Sequence, residues 1–177
     1  AKKENNKEKS NVPNTKEGLK NLKNVRPYSA LENSENDIET SISFENNKGK
    51  LPWPVDKGNV DVHFGISTIP DTKLTRKSDG IEISVPKGSA VKNVANGKVT
   101  SVGELNGEKF VMIFHGKYIS VYRHLSNVYV KVNQEIKGRT LIGTSGIGID
   151  GEGTLLFMIA NDKGEPLNPE IWLKKQP

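Results

Sequence analysis

The clearest hydrophobic pattern in the chain is a strict alternation over residues 81–85. Ile81, Ile83 and Val85 fall on one side of this segment, whereas Glu82 is among the polar residues on the other side. A period of two is typical of a β-strand with one buried face. Similar apolar runs, separated by glycine and Asn-Gly turns, predict further strands at residues 60–64, 90–95, 97–103, 110–115, 118–124, 129–132, 140–143 and 155–160. The sequence therefore predicts a mostly β, antiparallel sandwich or barrel.

A helical pattern over residues 34–47 precedes all of these strands. Ser34 is a favourable N-terminal cap, and Ile38 and Ile42 lie four residues apart on one face, with Phe44 off that line. Isolated helices of this length are marginally stable in water, so its docking is expected to be weak. Two interpretations stay open at this point. The segment is either a simple connector or a weak lid over a binding groove.

Composition separates the first part of the chain from the rest. Residues 1–50 contain ten Asn, nine Lys and seven Glu and few large apolar residues, whereas residues 51–177 are rich in Val, Ile and Leu. We therefore predict a disordered or weakly structured tail over residues 1–33, a helical connector over residues 34–49 and one β domain over residues 50–177.

Charge and cysteine content narrow the range of functions. The net charge of +5 could favour anionic wall polymers. No basic stripe with interleaved aromatic residues occurs, so nucleic-acid binding is not expected. The chain has no cysteine, which removes thiolates as metal ligands. No signal peptide or membrane-spanning segment is visible in the sequence.

The order and spacing of several motifs over residues 49–173 resemble those of LytM (lysostaphin-type) zinc endopeptidase domains. The motifs are Lys-Leu-Pro-Trp-Pro-Val at 50–55, Gly-Ile-Glu-Ile at 80–83, Val-Tyr-Arg-His-Leu-Ser at 121–126 and Asn-Pro-Glu-Ile-Trp-Leu at 168–173. This resemblance implies the duplicated hybrid β motif of the family, a split barrel or sandwich. The helical segment and the tail would precede it.

The zinc ligands of the family are the part of the pattern from which this chain departs. Active members of the family place a histidine at the position of Ser78, and the aspartate ligand corresponds to Glu82. The family's His-x-His strand falls on Thr154 and Leu156, and only His124 keeps its family identity. Catalytic zinc sites take three ligands from the protein. The resemblance therefore implies a degenerate domain that is not an enzyme and holds no metal or other cofactor.

Degenerate LytM factors bind and activate cell-wall amidases instead of cutting peptidoglycan. The segments 49–55 and 167–173 are most similar to those of the murein hydrolase activator EnvC group. This resemblance implies a secreted, periplasmic activator of N-acetylmuramoyl-L-alanine amidases that acts in septum splitting during cell division. In that group a coiled coil upstream of the domain is usual, and it would connect the domain to a membrane complex of the division machinery.

The expected partner is an amphipathic helix with acidic flanks, bound in an apolar groove with a cationic rim. The predicted groove residues are Arg76, Lys77, Ser78, Glu82, Tyr122, His124, Thr154, Leu156 and Met158. Two alternatives remain open: a module that binds peptidoglycan in the same groove, and a residual zinc endopeptidase using Glu82 and His124.

Overall fold

A computed structural model describes residues 29–176 of the chain. Residues 1–28 of the predicted tail therefore lie outside the described residues. Residues 29–33 lead into the helix, and Ser29 and Glu32 are buried. The described helices are α1 (Glu35–Asn46) and α2 (Pro169–Trp172). The strands are β1 (Asn59–Val62), β2 (Gly65–Thr68), β3 (Thr75–Ser78), β4 (Ile81–Val85), β5 (Ala90–Lys92), β6 (Gly97–Leu105), β7 (Glu108–Phe114), β8 (Tyr118–Val128), β9 (Glu135–Ile136), β10 (Leu141–Ile147), β11 (Gly153–Asn161) and β12 (Pro166–Leu167).

Ten of these strands form one antiparallel sheet that is organised around β11. On one side β11 pairs with β4, and on the other it pairs with β8 and, at its beginning, with β10. The strands β2 and β3 form a separate hairpin. The predicted mostly β, antiparallel fold is therefore confirmed.

The alternation read from the sequence sets the two faces of the central strands. In β4, Ile81 and Ile83 are fully buried and Glu82 between them is half-buried. In β11, Leu155 and Phe157 are likewise buried, and the residues between and beside them are half-buried. Because β4 and β11 are paired in register, their half-buried faces form one continuous surface on the side away from the core.

Two of the predicted segments differ in the structure. Residues 129–132 do not form a strand, because the chain turns between Lys131 and Gln134. The amide of Gln134 donates to the carbonyl of Lys131, and the amide of Lys131 donates to the side-chain oxygen of Gln134. The next strand instead covers Glu135–Ile136, which pairs with β6. The sequence of residues 66–77 favours a loop, because it contains Pro70 and has no apolar alternation, but residues 65–78 contain the hairpin β2–β3, whose side chains are mostly polar and are half-buried or exposed.

The helix α1 packs into the domain along a face that the sequence pattern did not indicate. Its cap is Ser34, as predicted, whose side chain accepts a hydrogen bond from the amide of Asp37. Its buried residues are Ile38, Ser41 and Phe44, so the predicted line through Ile38 and Ile42 is corrected.

Close backbone contact explains the small residue in the middle of this face. The hydroxyl of Ser41 donates to the carbonyl of Asp37 and accepts from the amide of Lys117 at 2.8 Å. A Cβ at Gly116 would lie 1.9 Å from Ser41 Oγ, and Gly116 has a φ of +77°. Glycine at 116 and serine at 41 thus allow the helix and the hairpin turn to touch.

The position of α1 distinguishes the two interpretations that the sequence leaves open for residues 34–48. The helix contacts the beginning of β8 at Lys117 and Tyr118, where Glu45 accepts hydrogen bonds from both side chains. His124 lies six residues further along β8, about 20 Å away at the rise of a β-strand. The hypothesis that residues 34–48 cover the groove is therefore wrong for this structure, and α1 is part of the domain's packing.

The beginning and the end of the domain are joined to each other. Leu51 and Leu173 form a parallel bridge, and the amide of Lys174 donates to the carbonyl of Leu51 at 2.8 Å. The indole Nε1 of Trp53 donates to the carbonyl of Lys174, also at 2.8 Å. In the part of the chain that is described, no helix is both long and apolar enough to cross a membrane.

Candidate functional site

A cleft of about 550 Å³ lies on the polar surface of β4 and β11. It forms there because the register places Thr154 beside Ser84, two residues along the strands from the pair Leu156 and Glu82. Its remaining walls come from β1, from the start of β7, from the middle of β8 and from the β10–β11 turn. The lining residues are Asp61, Glu82, Ser84, Glu108, His124, Ile147, Gly148, Ile149, Asp150, Gly153 and Thr154.

His124 enters the cleft because the backbone of β8 is irregular at this point. Its φ of 62° is in the left-handed region, and the register between β7 and β8 shifts nearby. The alternation along β8 is thereby interrupted. The ring nitrogen Nδ1 of His124 is hydrogen-bonded to a carboxylate oxygen of Glu108. The side chain of His124 is 23% exposed, so this pair forms one wall of the cleft.

Tyr122 does not share the surface with His124, and its predicted place in the groove is corrected. Tyr122 is fully buried in the core, where its hydroxyl accepts a hydrogen bond from the backbone amide of Val94 at 3.0 Å. The same hydroxyl donates to the side-chain oxygen of Asn93 at 3.4 Å. Burial raises the pKa of the Tyr122 phenol above its usual value. Tyr122 is therefore a structural residue that connects β8 to the segment after β5.

Removing the hydroxyl in Tyr122→Phe is expected to lower the free energy of unfolding by about 1–3 kcal/mol. The reason is that the buried amide of Val94 would lose its acceptor. The measurement is urea denaturation followed by circular dichroism. Tyr129→Phe is the matched control, because Tyr129 is 56% exposed and its change should stay within about 0.5 kcal/mol. Equal stability of both variants would contradict this role.

The structure separates the predicted site residues into two groups. Glu82, His124 and Thr154 line the cleft. The other predicted surface residues do not line it: Arg76, Lys77, Ser78, Leu156 and Met158. The second group is close by, because Leu156 is flanked in register by Glu82 on one side and Arg123 on the other. We refer to Leu156 and Met158, both half-buried, as the apolar strip.

The side chains that the sequence resemblance assigns to the family's zinc positions offer a poor set of ligand atoms for a zinc ion. Leu156 carries no donor atom, and the hydroxyl of Ser78 donates to the carbonyl of Gly80 at 2.9 Å. The Nδ1 atom of His124 contacts Glu108, as described above. Within residues 29–176, no group of three or more His, Asp or Glu side chains is arranged to share a metal ion. Three protein ligands are what a catalytic zinc needs.

Several cleft residues were not predicted from the sequence. Three are carboxylates, Asp61, Glu108 and Asp150, and two are the exposed Ile147 and Ile149. Glu108 directly follows the Asn-Gly turn of the β6–β7 hairpin, which is the one local signal for its place at a hairpin tip. The others come from separate segments that only the pairing of β1, β4, β10 and β11 brings together.

Residues 76–169 match peptidase family M23, and the chain therefore belongs to this family. The cell division protein DipM of Caulobacter vibrioides is 28% identical over 137 residues, which are 72% of this chain and 22% of DipM. The murein hydrolase activator NlpD of Salmonella dublin is 29% identical over 127 residues, 70% of this chain and 31% of NlpD. This chain thus spans less than a third of either relative.

A solved structure agrees with the family assignment. Helicobacter pylori Csd3 matches 71% of this chain and 35% of its own length, with a TM-score of 0.60 and 25% identity. The predicted LytM-type domain is therefore confirmed, both in the family and in the fold.

Proposed function

We propose that this chain is a non-catalytic M23-family domain that binds cell-wall amidases and activates them during cell division. The proposal is supported by Ser78, Thr154 and Leu156, which stand at the positions that the sequence resemblance assigns to zinc ligands, in a fold that keeps an open cleft. The similarity to a murein hydrolase activator and to a cell division protein supports the same conclusion.

The setting of this activity is part of the proposal. The site of action would be the cell envelope, in the periplasm, as in the EnvC-like activators that the sequence resembles. A coiled coil in an upstream part of the protein would link the domain to a membrane complex of the division machinery. The amidase would be activated because it binds the domain more tightly in its open form than in its blocked form.

The first experiment measures activity and zinc in the same preparation. The purified chain is dialysed and its zinc determined by elemental analysis, and dye release from labelled sacculi is followed with and without a purified N-acetylmuramoyl-L-alanine amidase. We expect less zinc than protein, no release by the chain alone and a several-fold increase in release by the amidase. If the chain alone releases dye and a chelator abolishes this release, the chain is instead a zinc endopeptidase. Co-sedimentation with sacculi without any effect on the amidase would identify a peptidoglycan-binding module.

The apolar strip beside the cleft is the proposed contact for the amidase. Leu156→Asp is expected to raise the concentration of the chain that gives half-maximal activation about tenfold, because it places a charge where an apolar side chain must be covered by the partner. The readout is the concentration dependence of amidase stimulation. Ile171→Asp is the control, since Ile171 is 56% exposed on α2 near the other end of the domain. If Leu156→Asp activates the amidase as well as the wild-type chain does, the apolar strip is not the contact.

A further inference from the structure

Large apolar side chains are exposed on two hairpin tips beside the cleft. Ile147 and Ile149 are 63% and 112% exposed at the β10–β11 turn. Leu105 is 52% exposed at the β6–β7 tip, directly opposite the cleft residue Glu108 in the strand register. Single exposed apolar residues are common on protein surfaces, but apolar residues grouped around one cleft indicate a binding surface.

The β10–β11 turn that presents Ile149 is held in a defined conformation. The amide of Gly148 donates to the carbonyl of Glu152 at 2.7 Å, and the amide of Gly151 donates back to the carbonyl of Gly148 at 3.0 Å. The side chain of Asp150 accepts from the amide of Glu152 at 3.1 Å. These bonds close the turn without covering Ile149, so its side chain is available for contact with a partner.

The floor and walls of the same cleft are acidic. Four carboxylates line it, those of Asp61, Glu82, Glu108 and Asp150. The described lining residues include no lysine or arginine. Glu108 is hydrogen-bonded to His124, but no ion pair among the described residues neutralises the other three. The cleft therefore has a negative potential, and its low-dielectric walls strengthen the attraction for a cation.

We propose that the occupant of the cleft is an amphipathic segment of a partner protein in which lysine or arginine flanks the apolar side chains. This inference rests on the proposed function and specifies the chemistry of the partner. The apolar side chains would contact Leu105, Ile147 and Ile149, and the cations would face the carboxylates. It reverses the sequence-based expectation of acidic flanks, because an acidic segment would meet four carboxylates at short range.

The net charge of +5 of the whole chain does not describe the surroundings of the cleft. Residues 1–28 contain eight Lys and Arg and three Asp and Glu, whereas residues 29–177 contain eighteen of each. The basic surplus thus belongs to the tail, and the remainder of the chain is neutral in sum. The location of its charges, and not its total charge, makes the cleft acidic.

The test is a selection from a phage-displayed library of random 16-residue peptides on the immobilised full chain. We expect the enriched peptides to carry apolar residues at helical spacing together with Lys or Arg. The most enriched peptide is synthesised, and its affinity should fall at least fivefold when the salt concentration is raised to 0.5 M, because exposed charges are screened. Enrichment of acidic peptides, or no enrichment at all, would overturn the proposal.

Two matched pairs of variants locate the contact. Asp150→Asn should weaken peptide binding at least fivefold, whereas Asp71→Asn, an exposed loop carboxylate outside the cleft, should not. Ile149→Ser should also weaken peptide binding at least fivefold. Its control, Ile66→Ser, should not, because Ile66 is also accessible, at 77% exposure, but lies on the β2–β3 hairpin outside the cleft. Equal binding by both members of each pair would contradict the assignment of the cleft.

Amidase stimulation, measured with the same proteins, separates this inference from the proposed function. If the wild-type chain stimulates the amidase but selects acidic peptides, the chemistry of the partner is wrong and the activator function stands. If it selects basic amphipathic peptides whose binding requires Asp150 and Ile149 but does not stimulate the amidase, the binding surface is supported and the activator function is wrong.

Discussion

Replacing Phe44 by alanine is expected to lower the free energy of unfolding by about 3–5 kcal/mol. Phe44 is 2% exposed and is the anchor of α1. Its ring lies 4.8 Å from the ring of His115, 4.9 Å from that of Tyr118 and 5.0 Å from that of Trp172, measured between centroids. Alanine would remove all three aromatic contacts and leave a cavity between the helix and the sheet.

The effect is measured by urea denaturation of the full chain. Ser43→Ala is the control, since Ser43 is exposed on the same helix and its replacement should change stability by less than about 0.5 kcal/mol. A loss of less than about 1 kcal/mol in Phe44→Ala would show that α1 is only a connector. A large loss would show that the stable unit begins before residue 50.

Lowering the pH from 8 to 5 is expected to cost about 2 kcal/mol of stability through His115 alone. Burial lowers the pKa of His115 from 6.5 to about 4, against a smaller raising effect of its hydrogen bond to Asn96. The Nδ1 atom donates to the carbonyl of Asn96 at 2.7 Å, so the Nε2 atom accepts from the hydroxyl of Ser120 at 2.8 Å. No lone pair of the ring faces water, and a proton at Nε2 would displace the bond from Ser120.

The sign of this dependence follows from the two pKa values. Below pH 6.5 the unfolded chain binds a proton at His115, whereas the folded chain stays neutral there until the pH approaches 4. The stability that depends on neutral His115 is therefore fully present above about pH 6.5 and is lost progressively between pH 6.5 and about pH 4. In His115→Gln, which is less stable overall, the loss between pH 8 and pH 5 should be about 2 kcal/mol smaller. Equal pH dependence of both proteins would contradict a buried neutral histidine.

The fold was largely predictable because its central strands carry local signals. In β4 and β11, buried Ile, Leu, Val and Phe alternate with half-buried residues, and this alternation is readable without knowing the partners of either strand. The face of α1 was not predictable in the same way. A serine at position 41 does not resemble a core residue, and only the approach of Gly116 makes it one.

The site was predictable only in part, because its members are joined by strand pairing. The family motif identified Glu82, His124 and Thr154, which the structure places in one cleft. The period-two alternation of a β-strand places Tyr122 on the same face as His124, and this holds only as long as the backbone stays regular. The positive φ of His124 breaks the alternation, and a histidine is only a weak signal for this conformation, because few residues other than glycine adopt it.

The closure between Leu51 and Leu173 has a consequence for the synthesis of the protein. Trp53 and its hydrogen-bond acceptor Lys174 are 121 residues apart in the chain. At about 5–20 residues per second, a ribosome needs roughly 6–24 s to supply the second partner after the first. During that interval α1 has emerged, while Trp172, against which Phe44 packs, has not. The apolar face of the helix thus stays incompletely covered until translation of the domain is nearly complete, and until then it is a surface that a chaperone can bind.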